Sequence, residues 1–280
     1  MYKILKKEAL NPTVTRMVIE APFVAKRAKA GQFIILRVRE QGERLPLTIA
    51  DSNPEKGTVT IIFQVVGETT MLLNALNEGD CLEDFAGPLG KPSLIDGNKK
   101  VCIIGGGVGC AIAYPTAKAF HEAGADVTTI VGFRNKDLVI LEEEFKKVSD
   151  AYYLMSDDGS VGEKGLVTNK LEDLIIGGEK FDEVVAIGPI VMMKFVSLTT
   201  KKYNIPTTVS MNPVMIDGTG MCGGCRLKVG DEIKFACVDG PDFDGHLVDF
   251  DQAMARNTAY KSFEAHKRDE ACHLLNKEVE

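Results

Sequence analysis

The chain has 280 residues, of which 45% are hydrophobic and 26% charged, and its formal net charge is −7. That length suggests two or three domains, since a domain usually spans about 100–200 residues. The negative charge and the lack of a lysine- or arginine-rich run argue against nucleic acid as a partner. No apolar signal segment opens the chain, and no uncharged run reaches the roughly 20 residues of a membrane helix. We therefore expect a cytoplasmic protein without a membrane anchor.

Residues 1–98 are predicted to form an antiparallel β-domain. Short alternating segments recur at 13–20, 33–39, 45–51 and 58–66, and each ends at glycine, proline, asparagine or charged turn residues. Strands at this spacing are typical of a small barrel or sandwich. One short helix is predicted over residues 71–77.

Two stretches of this β-domain are candidate contacts for a flavin dinucleotide. The first is Arg44, Leu45, Pro46, Leu47 and Thr48, and the second is Gly67, Thr69 and Thr70 at the start of the short helix. An arginine together with backbone amides at a helix start suits an anionic diphosphate, and the Thr48 hydroxyl can reach an isoalloxazine edge. Taken alone, the same residues are also typical of ordinary turns.

Residues 99–208 are predicted to alternate strand and helix. The expected strands are 101–104, 127–132, 151–155 and 183–187, and the expected helices run from the glycine turn to about residue 124, over 141–148 and over 167–174. This alternation predicts a doubly wound parallel sheet.

Three turns in this α/β-domain are candidate contacts for a nicotinamide dinucleotide. Gly105, Gly106, Gly107, Val108 and Gly109 follow a strand and open a helix, the setting in which backbone N–H groups bind phosphate. Asp157 and Asp158 follow the third strand. Carboxylates at this place accept hydrogen bonds from ribose hydroxyls and repel a 2′-phosphate, which favours NAD over NADP. Gly188 and Pro189 end the last strand and permit close approach of a ligand. A turn without a ligand is the alternative for each.

The stretch 215–237 is the most distinctive part of the chain, because it holds three of the seven cysteines. The plant-type [2Fe–2S] spacing C-x4-C-x2-C places Cys222 and Cys225 second and third and puts Asp217, not a cysteine, first. With Cys237 the ligands would be three thiolates and one carboxylate, which a tetrahedral zinc site could also use. The scattered Cys81, Cys102, Cys110 and Cys272 are expected to be small buried apolar residues.

The end of the chain, from residue 248, is predicted to be a polar helix. Leu247, Phe250, Met254 and Tyr260 would share one face of it, and the lysine- and glutamate-rich last residues would form a solvated helix or tail.

Several motifs together resemble the ferredoxin reductase-type flavoproteins, and specifically the electron-transfer subunits of dihydroorotate dehydrogenase and their relatives. They are GQF at 31–33, AGPLG at 86–90, GGGVG at 105–109, DDGSVGEKGLVT at 157–168 and IGPIVMM at 187–193. ERLPLTIAD at 43–51, FDGHLVDFD at 243–251 and the aspartate at 217 are most similar to small subunits of NADH-dependent reduced ferredoxin:NADP⁺ oxidoreductases. The pyrimidine-pathway relatives carry cysteine at the position of Asp217.

This resemblance implies an FAD-binding barrel over 1–98, an NAD(H)-binding domain over 99–208, and a [2Fe–2S] domain with a helix over 209–280. It also implies hydride exchange between NAD(H) and FAD, with no catalytic side chain beyond the cofactors. Single electrons would pass through the cluster to a larger subunit of a heterodimer. That subunit would carry its own FAD and [4Fe–4S] clusters and connect the chain to ferredoxin and NADP(H) in electron bifurcation.

Two departures from the family pattern affect individual residues. Arg44 lies four positions before Thr48, whereas the family's arginine lies three before the hydroxyl residue, and Cys110 replaces the last glycine of the simple dinucleotide fingerprint. Three alternative functions remain open from the sequence: an electron-transfer subunit of dihydroorotate dehydrogenase, a sulfide or polysulfide reductase subunit, and a non-catalytic redox sensor.

Overall fold

The structure, a computed structural model, describes residues 2–97, 99–259, 263–266 and 268. In that part of the chain the strands form two seven-stranded sheets and a two-stranded hairpin. None of the described helices is long and apolar enough to cross a membrane.

The first sheet is an antiparallel barrel that is nearly closed. Its strands are Tyr2–Asn11 (β1), Val14–Glu20 (β2), Phe33–Arg37 (β3), Leu45–Asn53 (β4), Thr58–Gln64 (β5), Cys81–Leu82 (β6) and Asp84–Leu89 (β7), in the order β6-β1-β2-β5-β4-β3-β7. The two edge strands, β6 and β7, are separated by one residue, so the edges of the sheet meet. Helices Pro22–Ala25 (α1) and Glu68–Ala75 (α2) lie within this segment.

The four strands expected in the β-domain are confirmed with ends within two residues, and the short helix begins three residues earlier than expected. Strand β1 was not predicted. Irregular register between Ile4 and Lys6, and again between Ala9 and Asn11, interrupts its alternation. Of its ten residues only Ile4 is fully buried, so the apolar pattern of a strand is absent.

The second sheet contains the parallel strands. They are Lys100–Gly106 (β8), Asp126–Phe133 (β9), Ala151–Ser156 (β10), Glu163–Lys164 (β11), Glu183–Ile187 (β12) and Thr207–Ser210 (β13). After the hairpin Arg226–Val229 (β14) and Glu232–Phe235 (β15), strand Asp242–Asp244 (β16) adds antiparallel to β13. The strand order is β11-β10-β9-β8-β12-β13-β16. This is a doubly wound arrangement, in which the order of the strands reverses between β8 and β12.

Helices cover both faces of this sheet. They are Cys110–Glu122 (α3), Glu142–Lys147 (α4), Val167–Ile176 (α5) and Ile190–Lys202 (α6). Phe120 of α3 and Phe145 of α4 are buried on one face, while Leu171 of α5 and Val196 of α6 are buried on the other. Two further helices, Ala236–Asp239 (α7) and Phe250–Asn257 (α8), follow the hairpin. The predicted strands and helices of residues 99–187 are confirmed.

Helix α6 and strand β13 were not predicted. The sequence of α6 contains several β-branched residues, which have low helix propensity, and it follows the turn Gly188–Pro189 directly. Packing of Met193 and Val196 into the core overrides that propensity.

The predicted C-terminal helix is confirmed as α8, which begins where the Asp249 carboxylate accepts the Gln252 N–H at 3.0 Å. Leu247 is 53% exposed and so does not share the buried face expected of it. Tyr260, Cys272 and the lysine- and glutamate-rich end lie outside the described residues. Cys102 and Cys110 are buried as expected. Cys81 is instead exposed on β6, an edge strand that pairs with β1.

Candidate functional site

The turns after β8 and β12 lie side by side, because Gly105 pairs with Ile187. Their backbones are in close contact. A Cβ atom at Gly109 would lie 2.6 Å from both the Gly188 Cα and the Ile187 carbonyl oxygen. Glycine at position 109 is therefore needed to bring the two turns together, and the glycine-rich turn has a packing role in addition to the binding role predicted for it.

A cavity of about 800 Å³ opens at this edge of the sheet, at the point where the strand order reverses. It is within the size range of ligand-binding cavities. Several predicted residues line it: Gly106, Gly107, Val108, Gly109, Asp157, Gly188 and Pro189. Gly105, one residue earlier in β8, does not line it. The helical turn Gly107–Gly109 leads directly into α3, and the Cys110 N–H already donates to the Gly107 and Val108 carbonyls. The backbone N–H groups before Cys110, at the start of this helical segment, are therefore the candidates for an anion.

The two aspartates predicted as ribose contacts have different environments. Asp157 lines the cavity. The Asp158 carboxylate instead accepts the Ser160 N–H at 2.9 Å, and hydrogen bonds from Ser160 hold the pKa of Asp158 below its ordinary value. Asp157 is thus the candidate for a ribose contact, and Asp158 stabilises its own turn.

Residues from the barrel also line the cavity, among them Thr13 and Gln64. The Asn11 side-chain amide donates to the Leu138 carbonyl at 3.2 Å, and Arg16 and Glu144 form an ion pair at 3.0 Å, so both sheets are joined beside it. A ligand in the cavity would therefore contact the barrel and the parallel sheet together.

Sequence reasoning missed several polar residues of the cavity, including Arg134, Asn169, Ser210 and Asn212. Arg134 follows β9 directly, and its position was detectable, since the residue after the second strand is a known contact point in dinucleotide folds. Ser210 is the last residue of β13 and Asn212 lies two positions after it, so they were missed together with that strand.

The predicted flavin contacts of the barrel lie outside this cavity. Leu45, Pro46, Leu47 and Thr48 are half-buried on β4, with Thr48 opposite Phe33 of β3. The Thr70 hydroxyl accepts the Gly67 N–H at 3.0 Å and so caps α2. The Thr69 hydroxyl donates to a Glu43 carboxylate oxygen at 2.7 Å. Part of each of these β4 side chains is exposed on the open side of the strand, whereas Thr70 is engaged within its own turn.

The cysteine loop holds two thiols close together. Cys225 and Cys237 are buried with their sulfurs 3.2 Å apart, and Cys222 is exposed. The Cys237 N–H points at the Cys225 sulfur and the Gly224 N–H at the Cys222 sulfur, each at 3.4 Å. Inward N–H groups of this kind suit sulfur ligands of a metal centre. Burial raises the pKa of the Cys237 thiol to about 12, so a bound cation would be needed to hold it as thiolate.

The Asp217 carboxylate faces its own loop. It accepts the backbone N–H groups of Thr219 and Met221, both at 3.1 Å, and the Thr219 hydroxyl at 2.8 Å. These bonds, led by the Thr219 hydroxyl, keep the pKa of Asp217 below its ordinary value. Among the described residues no group of three or more histidine, cysteine or acidic side chains is arranged to hold a metal ion. The ligand set Asp217, Cys222, Cys225 and Cys237 therefore stays a prediction, to which the donor chemistry is suited.

Two sequence relatives identify the family. The chain is 47% identical over 264 residues to the dihydroorotate dehydrogenase B (NAD⁺) electron transfer subunit homolog of Thermotoga maritima, covering 94% of this chain and 93% of the relative. It is 33% identical over 249 residues to the corresponding subunit of Streptococcus pneumoniae R6, covering 86% and 94%. This chain belongs to the dihydroorotate dehydrogenase B electron-transfer subunit family. The family described as the iron–sulfur cluster binding domain of dihydroorotate dehydrogenase B matches residues 212–249, which contain all four candidate ligands.

Solved structures place this family member among the ferredoxin reductase-like folds. A chain of NADH-dependent reduced ferredoxin-NADP oxidoreductase, from a study of flavin-based electron bifurcation, matches with a TM-score of 0.91 and 45% identity, covering 96% of this chain and 97% of that one. The ferredoxin reductase of carbazole 1,9a-dioxygenase matches with a TM-score of 0.60 at 18% identity, which shows the shared fold alone. These comparisons confirm the predicted fold class and the predicted family. They also confirm the prediction that the chain is an electron-transfer subunit of an oxidoreductase.

Proposed function

We propose that this electron-transfer subunit exchanges hydride with NAD(H) at an FAD held by the barrel. It would pass single electrons through a [2Fe–2S] cluster to a larger partner subunit. The observation that carries this proposal is the cavity at the reversal point of the parallel sheet, which residues of the barrel also line. A nicotinamide dinucleotide bound there would reach the barrel, where the family's flavin is expected.

The chain's own residues would bind and orient the dinucleotide. Backbone N–H groups of residues 106–109, at the start of the helical segment that leads into α3, suit its diphosphate. The Asp157 carboxylate would accept ribose hydroxyls and repel a 2′-phosphate, so we propose NAD(H) rather than NADP(H). The open side of β4 would hold the flavin ring, with the start of α2 near its diphosphate.

Asp217, Cys222, Cys225 and Cys237 would hold the cluster. The cofactors supply the chemistry when bound: FAD exchanges two electrons as hydride with nicotinamide, and the cluster carries one electron at a time. The protein's part is to position them and to direct backbone N–H groups at the sulfurs.

We further propose that the partner subunit gives access to ferredoxin and NADP(H) in a bifurcating, cytoplasmic heterodimer. The near-complete coverage and 45% identity to a chain of NADH-dependent reduced ferredoxin-NADP oxidoreductase support this choice. The domain limits 1–98, 99–208 and 209–280 belong to the same proposal.

The decisive experiment is an anaerobic NADH titration of the purified chain, followed by absorbance, with iron and acid-labile sulfide measured on the same sample. We expect FAD bleaching by NADH and about two iron and two sulfide per chain, as a [2Fe–2S] centre requires. A redox sensor without catalysis would bind flavin and a cluster but show no bleaching. Zinc without sulfide would overturn the iron–sulfur assignment.

The second candidate function is electron transfer for a dihydroorotate dehydrogenase. The family match over residues 212–249 favours it. Affinity purification of the chain from its native cells separates the two candidates. A partner that oxidises dihydroorotate would support the second candidate, whereas a partner that couples NADPH to ferredoxin would support the first.

A further inference from the structure

We propose that Arg44 is a positioning residue for the iron–sulfur centre and that it acts through Asp217. This inference rests on the proposed function, because it requires a cluster in the cysteine loop.

The geometry of the β3–β4 connection carries the inference. An Arg44 guanidinium nitrogen lies 3.8 Å from an Asp217 carboxylate oxygen. The neighbouring Arg39 instead pairs with Glu68 of α2 at 3.5 Å. Of these two arginines, Arg44 is therefore the one directed at the cysteine loop.

Backbone packing holds the cysteine loop against the barrel at the same place. A Cβ atom at Gly218, which follows Asp217, would collide with the Ile35 side chain and lie 3.2 Å from Leu89. Ile35 of β3 pairs with Pro46 of β4, two residues after Arg44. The loop thus rests on β3 and β7, and β3 pairs with the strand β4 that offers the candidate flavin contacts.

A guanidinium at this place would act on the cluster electrostatically. The Asp217 side chain is 20% exposed, so water screens its side of the pair only in part. Reduction adds negative charge to a cluster, and a nearby positive charge stabilises the reduced form. Removing that charge should lower the reduction potential of the cluster.

The test compares Arg44→Gln, Arg44→Lys and the matched control Arg39→Gln in the anaerobic cofactor-loaded protein. The cluster potential is measured by a redox titration followed by EPR, and FAD and iron per chain are measured beside it. Because Arg44 is 55% exposed, water screens the pair. We expect Arg44→Gln to lower the potential by a shift equivalent to at most about a tenfold change in the oxidised-to-reduced ratio, or about 59 mV for one electron. Arg44→Lys keeps the positive charge, so its cluster potential should stay close to that of the wild type. Arg39→Gln should not change the potential.

Other outcomes separate the inference from its alternatives. Loss of iron in Arg44→Gln alone, with FAD retained, would also support a positioning role. If Arg44→Gln kept the wild-type cluster potential but bound less FAD, the inference would be overturned. That result would favour the predicted contact between Arg44 and the flavin diphosphate. No change in any variant would overturn it too. Absence of iron and sulfide from the wild-type protein would contradict the proposed function itself. That measurement precedes the variants, so it distinguishes failure of the proposed function from failure of the inference about Arg44.

Discussion

Asp157 and Asp158 are adjacent in the chain, yet only the first faces the cavity. Strand β10 ends at Ser156, and the chain then turns so that the Asp158 carboxylate accepts the Ser160 N–H. The sequence predicted an acidic contact at this strand end but could not choose between the two carboxylates, because the choice depends on the path of the turn.

We expect Asp157→Asn to weaken discrimination against NADPH by about fivefold, since it removes a like charge worth about 1 kcal/mol at a partly solvated site. The KM for NADH should rise, because a neutral amide accepts ribose hydroxyls less strongly than a carboxylate. Steady-state dye reduction with each nucleotide measures both effects. Asp158→Asn is the matched control and should leave the ratio unchanged; an equal effect of both variants would contradict the assignment.

Asp217 is the residue that separates this chain from relatives with an all-cysteine pattern. If it is a ligand, Asp217→Cys should change both the g-values and the potential of the cluster, because a thiolate is a softer ligand than a carboxylate. EPR and redox titration of the two proteins measure this change. Identical spectra and potentials would mean that Asp217 only caps its loop through Thr219 and Met221.

At the scale of elements, the contact between the turns after β8 and β12 shapes the binding edge. Both turns were predicted as binding turns, but their mutual packing was not. Contacts between residues about 80 positions apart leave no periodic signal in the sequence. The same holds for α6 and β13, whose tertiary packing outweighs weak local propensity.

Gly109→Ala should lower the free energy of unfolding by at least about 2 kcal/mol and abolish NADH-dependent reduction, because its Cβ would push the Gly188 turn away. Gly107→Ala is the control. Its Cβ meets open space, and its φ of 56° costs about 1 kcal/mol. Chemical denaturation and NADH titration of both variants measure the difference. Equal destabilisation would indicate that backbone strain, not the contact between turns, makes glycine necessary.

At the scale of the whole molecule, one core joins the barrel, the parallel sheet and the cysteine loop. Phe33 and Ile35 of β3 are buried in the same cluster as Met211, Cys225 and Leu227. Strand β3, which pairs with the candidate flavin strand β4, is therefore part of one packed unit with the parallel sheet and the cysteine loop. Electron transfer between centres requires fixed relative positions of this kind.

Ile35→Ala should lower the free energy of unfolding by about 2–5 kcal/mol and release iron together with the loss of stability. Ile176→Ala is a control of the same chemistry on α5, where the side chain is 70% exposed, and should change stability by at most about 0.5 kcal/mol. Thermal unfolding and iron content of each variant measure the coupling. Normal iron retention in a destabilised Ile35→Ala protein would contradict the shared core.

The sequence by itself determined the order of barrel, parallel sheet and cysteine loop, the position of the glycine-rich turn proposed for phosphate binding, and the four candidate cluster ligands. Those features depend on local periodicity, glycine placement and cysteine spacing, which are written in short stretches of chain. Only the tertiary structure decided that Asp157 rather than Asp158 faces the cavity, that Arg134 lies there too, and that Arg44 pairs with Asp217. The positions of Arg134 and Arg44 depend on residues far apart in sequence and follow from how the sheets pack together, whereas the choice of Asp157 follows from the path of the turn after β10.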